Sequence, residues 1–115
     1  MDKRERERVE IAGALSHFIF KVTEKNGQSE YTTLRLVDIS EKGLKAQITE
    51  SFVEKPMVGD KISGVVKSET FPTSLPVSGK ITRLGTEKDK NVVAIEFEKE
   101  ITLPTIIIAH AMAVA

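Results

Sequence analysis

Hydrophobic and polar positions along this chain alternate with a period of two. Val9, Ile11, Gly13 and Leu15 share one phase, and Phe18, Phe20 and Val22 continue on the other. The pattern predicts a long strand over Val9 to Val22, with a bulge or sharp bend near Ser16-His17 where the phase changes. Long bent strands are what small barrels use to turn corners. His17 sits at that bend, with no second metal ligand at useful spacing, and reads as a bend residue.

The alternation then recurs in short runs. Asn26-Gly27, within Glu24 to Glu30, is a hairpin turn signal. Tyr31 to Ile39 reads as a second strand, with Leu34 and Leu36 on one face and Thr33, Arg35 and Val37 on the other. Asp38 to Gly43 reads as a turn. Leu44, Ala46 and Ile48 alternate with Lys45, Gln47 and Thr49 as a third strand. Ser51 to Lys61 is a connection through Pro56, Gly59 and Asp60, and Lys61 to Glu69 a fourth strand with Ile62, Gly64 and Val66 on one side. The prolines of Phe71 to Pro76 predict a loop, because they interrupt a hydrogen-bonded ladder. Val77 to Leu84 is a fifth strand, Gly85 to Asn91 a polar turn, and Val92 to Glu98 a sixth strand with Val93, Ile95 and Phe97 facing in. Short strands at regular spacing suggest a sandwich or a barrel.

Leu103 to Ala115 differs. Pro104 suits a first helical turn, and the alanines at 109, 111, 113 and 115 favour helix, against the β-branched run Ile106-Ile107-Ile108. A short C-terminal helix is expected over about 103–113, apolar nearly all round and so buried against the barrel, another subunit or a partner. The whole divides into a flexible arginine-rich arm, 1–8, and one domain, 9–115.

Composition narrows the chemistry. At 115 residues with 40% hydrophobic, the chain holds one modest core without metal or disulfide staples. No cysteine is present, which excludes thiolate ligands, a cysteine nucleophile and a disulfide framework. Lys+Arg and Asp+Glu are 17 each, so a protein that coats DNA or RNA is not expected. No apolar run follows the charged first residues as a leader would, and Ile101 to Ala115 is too short for an ordinary span; a cytoplasmic location is expected. There is no phosphate-cradling glycine loop and no Ser, His and Asp set at plausible spacing, so no enzyme, catalytic residue, metal site or cofactor is expected.

Anion binding is better supplied. Lys3, Arg4, Arg6 and Arg8 alternate with Glu5 and Glu7 before the first strand. A guanidinium grips phosphate with two parallel N–H donors, stacks on a base, or donates to the O6 and N7 edge of guanine. Asp38 offers a carboxylate to guanine N1–H and its exocyclic amine, Ser40 a hydroxyl, and Gly43 a backbone that tolerates positive φ and close approach.

Arg-x-x-x-Arg at Arg4 and Arg8, followed by a strand and then Asp-x-Ser-x-x-Gly at Asp38, Ser40 and Gly43, resembles the PilZ domain family. Val77-Ser78-Gly79-Lys80-Ile81 and Ala94-Ile95-Glu96-Phe97 resemble its closing strands. The resemblance covers essentially the whole chain. It implies an all-β fold, a six-stranded antiparallel barrel with a short C-terminal helix, that binds the bacterial second messenger cyclic di-GMP. It also implies that Arg4 and Arg8 contact phosphates and guanines and that Asp38, Ser40 and Gly43 receive a guanine. Lys3 stands where members often carry a further arginine, keeping the charge without the planar fork, and Glu5 and Glu7 compete for the arginines.

The expected function is a cyclic di-GMP receptor or adaptor in signal transduction. It would pass second-messenger levels to an unidentified effector protein or fused domain through ordering of the arm. The alternative is a ligand-independent interaction module of the same fold, acting through the apolar C-terminal segment and the Phe71 to Pro76 loop. A barrel binding single-stranded nucleic acid is disfavoured, since one Tyr and five Phe leave few stacking platforms. No DNA, RNA or membrane partner is expected, and the chain is expected to be a monomer or dimer.

Overall fold

In the computed structural model, residues 18–50, 52–69 and 72–105 are described, with 8–10 as backbone. They build seven strands: β1 (Arg8–Glu10), β2 (Phe18–Lys25), β3 (Gln28–Ser40), β4 (Gly43–Ile48), β5 (Lys61–Ser68), β6 (Ser74–Glu87) and β7 (Lys90–Phe97). The neighbours run β1-β3-β2-β5-β6-β7-β4, all antiparallel, and β4 also pairs with β3. That last pairing closes β2 to β7 into a six-stranded barrel. β1 lies outside the closure, on the edge of β3 that β2 leaves uncovered beyond Arg35.

The inward phase of each strand fills the barrel. Phe18, Phe20, Leu34, Leu36, Ile39, Ile62, Ile81, Val66 and Val93 are all buried, joined by Leu44, Ala46, Ile95 and Phe97. Full burial of a Leu or Phe side chain stabilises by about 1.5–3 kcal/mol, so this cluster is the main favourable term. Ile101 and Leu103 pack against it from beyond β7. The end remote from the β3–β4 turn is polar. Lys25 and Glu30 are buried there, Thr32 Oγ1 donates to Glu30 Oε2 at 3.4 Å, and Lys25 Nζ lies 3.7 Å from Asp60.

Several sequence expectations are corrected. Asp38 and Ser40 belong to β3 and Gly43 opens β4, so the turn is only Glu41-Lys42. Ser74 to Pro76 belong to β6, where Pro76 pairs with Val65. Proline is tolerated because β7 joins β6 only from Gly79, which leaves the other edge of Pro76 without a strand. The polar stretch 85–91 is mostly strand. It turns only at Lys88-Asp89, whose φ values of 51° and 64° make a hairpin without glycine. β1 and β2 mark the two ends of the expected Val9 to Val22 strand. Its bend and His17, residues 1–7 of the arm with Arg4, and most of the expected 103–113 helix lie outside the described residues.

Candidate functional site

The site grows from a bulge. β3 pairs with β4 in register through Leu36↔Ala46, and then the register shifts so that Asp38 meets Lys45 and Ile39 meets Leu44. The extra residue, Val37, turns Ile39 into the core, where it is fully buried. Alternation then sends Asp38 and Ser40 to the outer side of the sheet, the side that Lys45 takes between inward Leu44 and Ala46. Both remain buried, at 3% and 7% exposure.

The turn that follows is held by Ser40. Its Oγ accepts the Lys42 N–H at 3.2 Å and donates to the Gly43 carbonyl at 3.4 Å. This is a hydroxyl turn that mimics a backbone turn. The next turn of chain is tied to it, since Phe97 N–H donates to Lys42 O and Ile101 N–H to Glu41 O, both at 2.8 Å. Gly43 is required for a reason the sequence reading did not identify. Its φ is not positive, but a Cβ built there would overlap the Ile95 carbonyl oxygen of β7.

Charge runs outward from Asp38 in alternating sign. Lys45 Nζ stands 3.7 Å from Asp38 Oδ2 and donates to both carboxylate oxygens of Glu87 at 3.0 Å. Arg83 Nη2 donates to Glu87 Oε2, also at 3.0 Å. The Lys45 hydrogen bond is the main reason the Glu87 carboxyl sits below the ordinary carboxylate range, with the charges of Lys45 and Arg83 adding to it.

Beside this row lies an open cavity of about 540 Å3, within the range of small-ligand sites. Ser40, Lys42, Lys45 and Arg83 supply its donors, and Gly43 and Ala94 a floor of small residues on which a flat ring could rest. Lys45, Arg83 and Glu87 were not singled out from the sequence. Period two places Arg83 and Glu87 on one face of β6, but only the register across β7 brings Arg83 and Lys45 to opposite sides of Ala94.

Of the residues expected to form a site, the structure brings together Asp38, Ser40 and Gly43, and adds Arg8 by backbone. In β1, Arg8 pairs with Ser40, Val9 with Ile39 and Glu10 with Asp38. Arg4 lies outside the described residues. Among the described residues, no helix is long and apolar enough to cross a membrane.

The chain matches no curated protein. The family model described as PilZ domain matches residues 2–111. With arm, barrel and closing strands all inside that match, the chain belongs to the PilZ domain family.

Proposed function

We propose that this chain is a receptor domain for cyclic di-GMP, with Arg4, Arg8, Asp38, Ser40 and Gly43 as its ligand-binding residues. The observation that carries the reading is the β1 register, which leads the arginine segment onto the end of β3 with Arg8 opposite Ser40. Membership of the family supports it. So does the open cavity at Ser40, Gly43 and Arg83. In this reading Arg4 and Arg8 hold the ligand's phosphates and stack on its bases. Asp38 accepts from guanine N1–H and the exocyclic amine, and Ser40 adds a hydroxyl contact. Gly43 lets a ring lie against the strand. Lys45, held by Glu87, keeps positive charge beside the same carboxylate.

The protein acts by binding, and its output is the ordering of the N-terminal arm that leads into β1 over the barrel, which presents a new surface to an effector protein or fused domain. The ligand shifts this equilibrium only by its differential affinity for the two states. Isothermal titration calorimetry tests it. Cyclic di-GMP should bind saturably, and Arg8→Ala should lose about 1.5–3 kcal/mol of binding, the worth of a charge-assisted hydrogen bond. Cyclic di-AMP should bind far more weakly, because adenine has no N1–H donor for Asp38. Absence of heat at high micromolar cyclic di-GMP overturns the reading.

A further inference from the structure

The outward face of β3, β2 and β5 has its own composition. Residues 18–23, 31–37 and 61–68 contain no Asp or Glu, and their charged residues are Lys21, Arg35, Lys61 and Lys67. The register sets these in rows. Arg35, Ile19 and Lys67 lie side by side across the three strands, and Thr33, Lys21 and Val65 form the next row. Glu24, Glu50 and Glu69 stand at the margins, and Glu50 is engaged, its Oε1 accepting the Thr33 N–H at 2.9 Å. In a chain of zero net charge this is local segregation of charge.

A hollow of about 390 Å3 opens on this face, lined by Lys21, Thr23, Tyr31, Thr33, Val65 and Lys67. Tyr31 is 81% exposed and Val53 83%. Tyr31 is carried on the β3 ladder, and the Val53 backbone is fixed through a buried carboxylate. Glu30, beside Tyr31 in β3, is 3% exposed and accepts the Val53 N–H at 3.0 Å. The loop carrying Val53 is pinned further along, where Asp60 Oδ2 accepts the Met57 N–H at 2.9 Å and Gly59 N–H donates to Ile81 O at 2.8 Å. Large apolar side chains held in water on a rigid backbone lose little conformational freedom on binding.

We propose that this face docks an acidic segment of a partner protein, one in which Asp or Glu alternates with apolar side chains. Tyr31 is its anchor, and Lys21 and Lys67 its charge partners. The hollow's cations are lysines, point charges suited to carboxylates and without the planar fork that favours phosphate. Val65 and the Tyr31 ring between them match apolar side chains of an extended segment. Tyr31 is the exposed large aromatic among the described residues, too few stacking platforms for single-stranded nucleic acid. Tyr31 and Ser40 share β3, up to roughly 30 Å apart at about 3.3 Å per residue, so the docking face and the candidate nucleotide site are separable.

The test uses two labelled peptides and fluorescence anisotropy. One peptide alternates Glu and Asp with Leu and Phe; the other replaces each acid by its amide. The acidic peptide should bind saturably. The amide peptide, or about 0.5 M salt, where charges are screened within about 4 Å, should weaken binding at least about tenfold. Lys21→Glu with Lys67→Glu, and separately Tyr31→Ala, should each weaken it about tenfold while cyclic di-GMP binding and the melting temperature stay unchanged. Should the double reversal fail to fold, Tyr31→Ala and amide shifts of the native protein on peptide addition still decide. Equal binding of the two peptides, no effect of these substitutions, shifts that miss this face, or tighter binding of oligo-dT or phosphatidylserine vesicles through the same residues overturns the proposal.

Discussion

Gly43 opens β4 directly against the β7 backbone, and the space beside it, not its φ, is what calls for glycine. Its place after Asp-x-Ser suggested a turn glycine with positive φ, and the structure instead makes it the first residue of a strand whose Cβ position is taken by the Ile95 carbonyl. Gly27 is the opposite case, with φ of 80° and open space around it. The two alanine substitutions should therefore differ in kind and size. Gly27→Ala should cost about 1–2 kcal/mol, the penalty of a side chain in the left-handed region. Gly43→Ala must push β4 off β7, and overpacking of that sort costs about 1–3 kcal/mol or more, to which loss of the flat floor is added. Urea unfolding of both variants measures the difference. A Gly43→Ala protein as stable as wild type would show that β4 and β7 separate easily, and the reading of the glycine would be wrong.

Elements were legible where local chemistry fixes them and obscure where a neighbour does. Asn26-Gly27 announced the β2–β3 hairpin, and φ values of 53° and 80° suit its turn. Lys88-Asp89 makes the same kind of turn inside the expected polar stretch 85–91, but without an Asn-Gly pair to place it, so the stretch read as turn throughout although the strands run to within two residues of each other. Pro76 read as a loop because its unpaired edge depends on where β7 ends, at Phe97 opposite Gly79. The bulge at Val37 left the strand pattern intact while reversing the face of Ile39 and Asp38.

Asn26 also shows how the elements are fastened together. Its Nδ2 donates to Asp60 Oδ1 at 3.0 Å and its Oδ1 accepts the Lys61 N–H at 2.9 Å, clamping the hairpin to the β4–β5 loop. The Asn26 hydrogen bond, then that of the Met57 N–H, and the charge of Lys25 hold the Asp60 carboxyl below its ordinary 3.8. A depressed carboxyl pKa stabilises the fold above the unfolded value, and this stabilisation fades as pH falls through the folded one. Asn26→Gly keeps the positive φ and removes the side chain. Its cost, about 1 kcal/mol or somewhat more at neutral pH, should shrink as pH drops below 3.8, leaving the pH-independent part owed to Lys61. Thermal unfolding across that range checks it, and a cost that does not change with pH would remove Asp60 from the clamp.

At the scale of the molecule, alternation specified which residues face inward but not which strands are neighbours, so a sandwich and a barrel read alike until β4 was seen to pair with both β3 and β7. The same holds for the candidate site. Asp38, Ser40 and Gly43 are close in sequence and were legible together, whereas Lys45, Arg83 and Glu87 converge only through closure. The arm joins them through β1, whose three residue pairs tie the N-terminal segment to the end of β3. On the proposed reading, arm and strand end make one binding unit, and that has a thermodynamic signature. Arg8→Ala and Asp38→Ala should each weaken cyclic di-GMP binding, and the double variant should fall short of the sum, with a coupling of about 0.5–3 kcal/mol. If the ligand first orders the arm through Arg8 and only then closes on Asp38, removing either residue forfeits part of what the other supplies. A cycle of four calorimetric titrations measures it. Additivity within about 0.3–0.5 kcal/mol, the behaviour of independent sites, would place the arm and the strand end in separate functions, even if both variants bind less tightly.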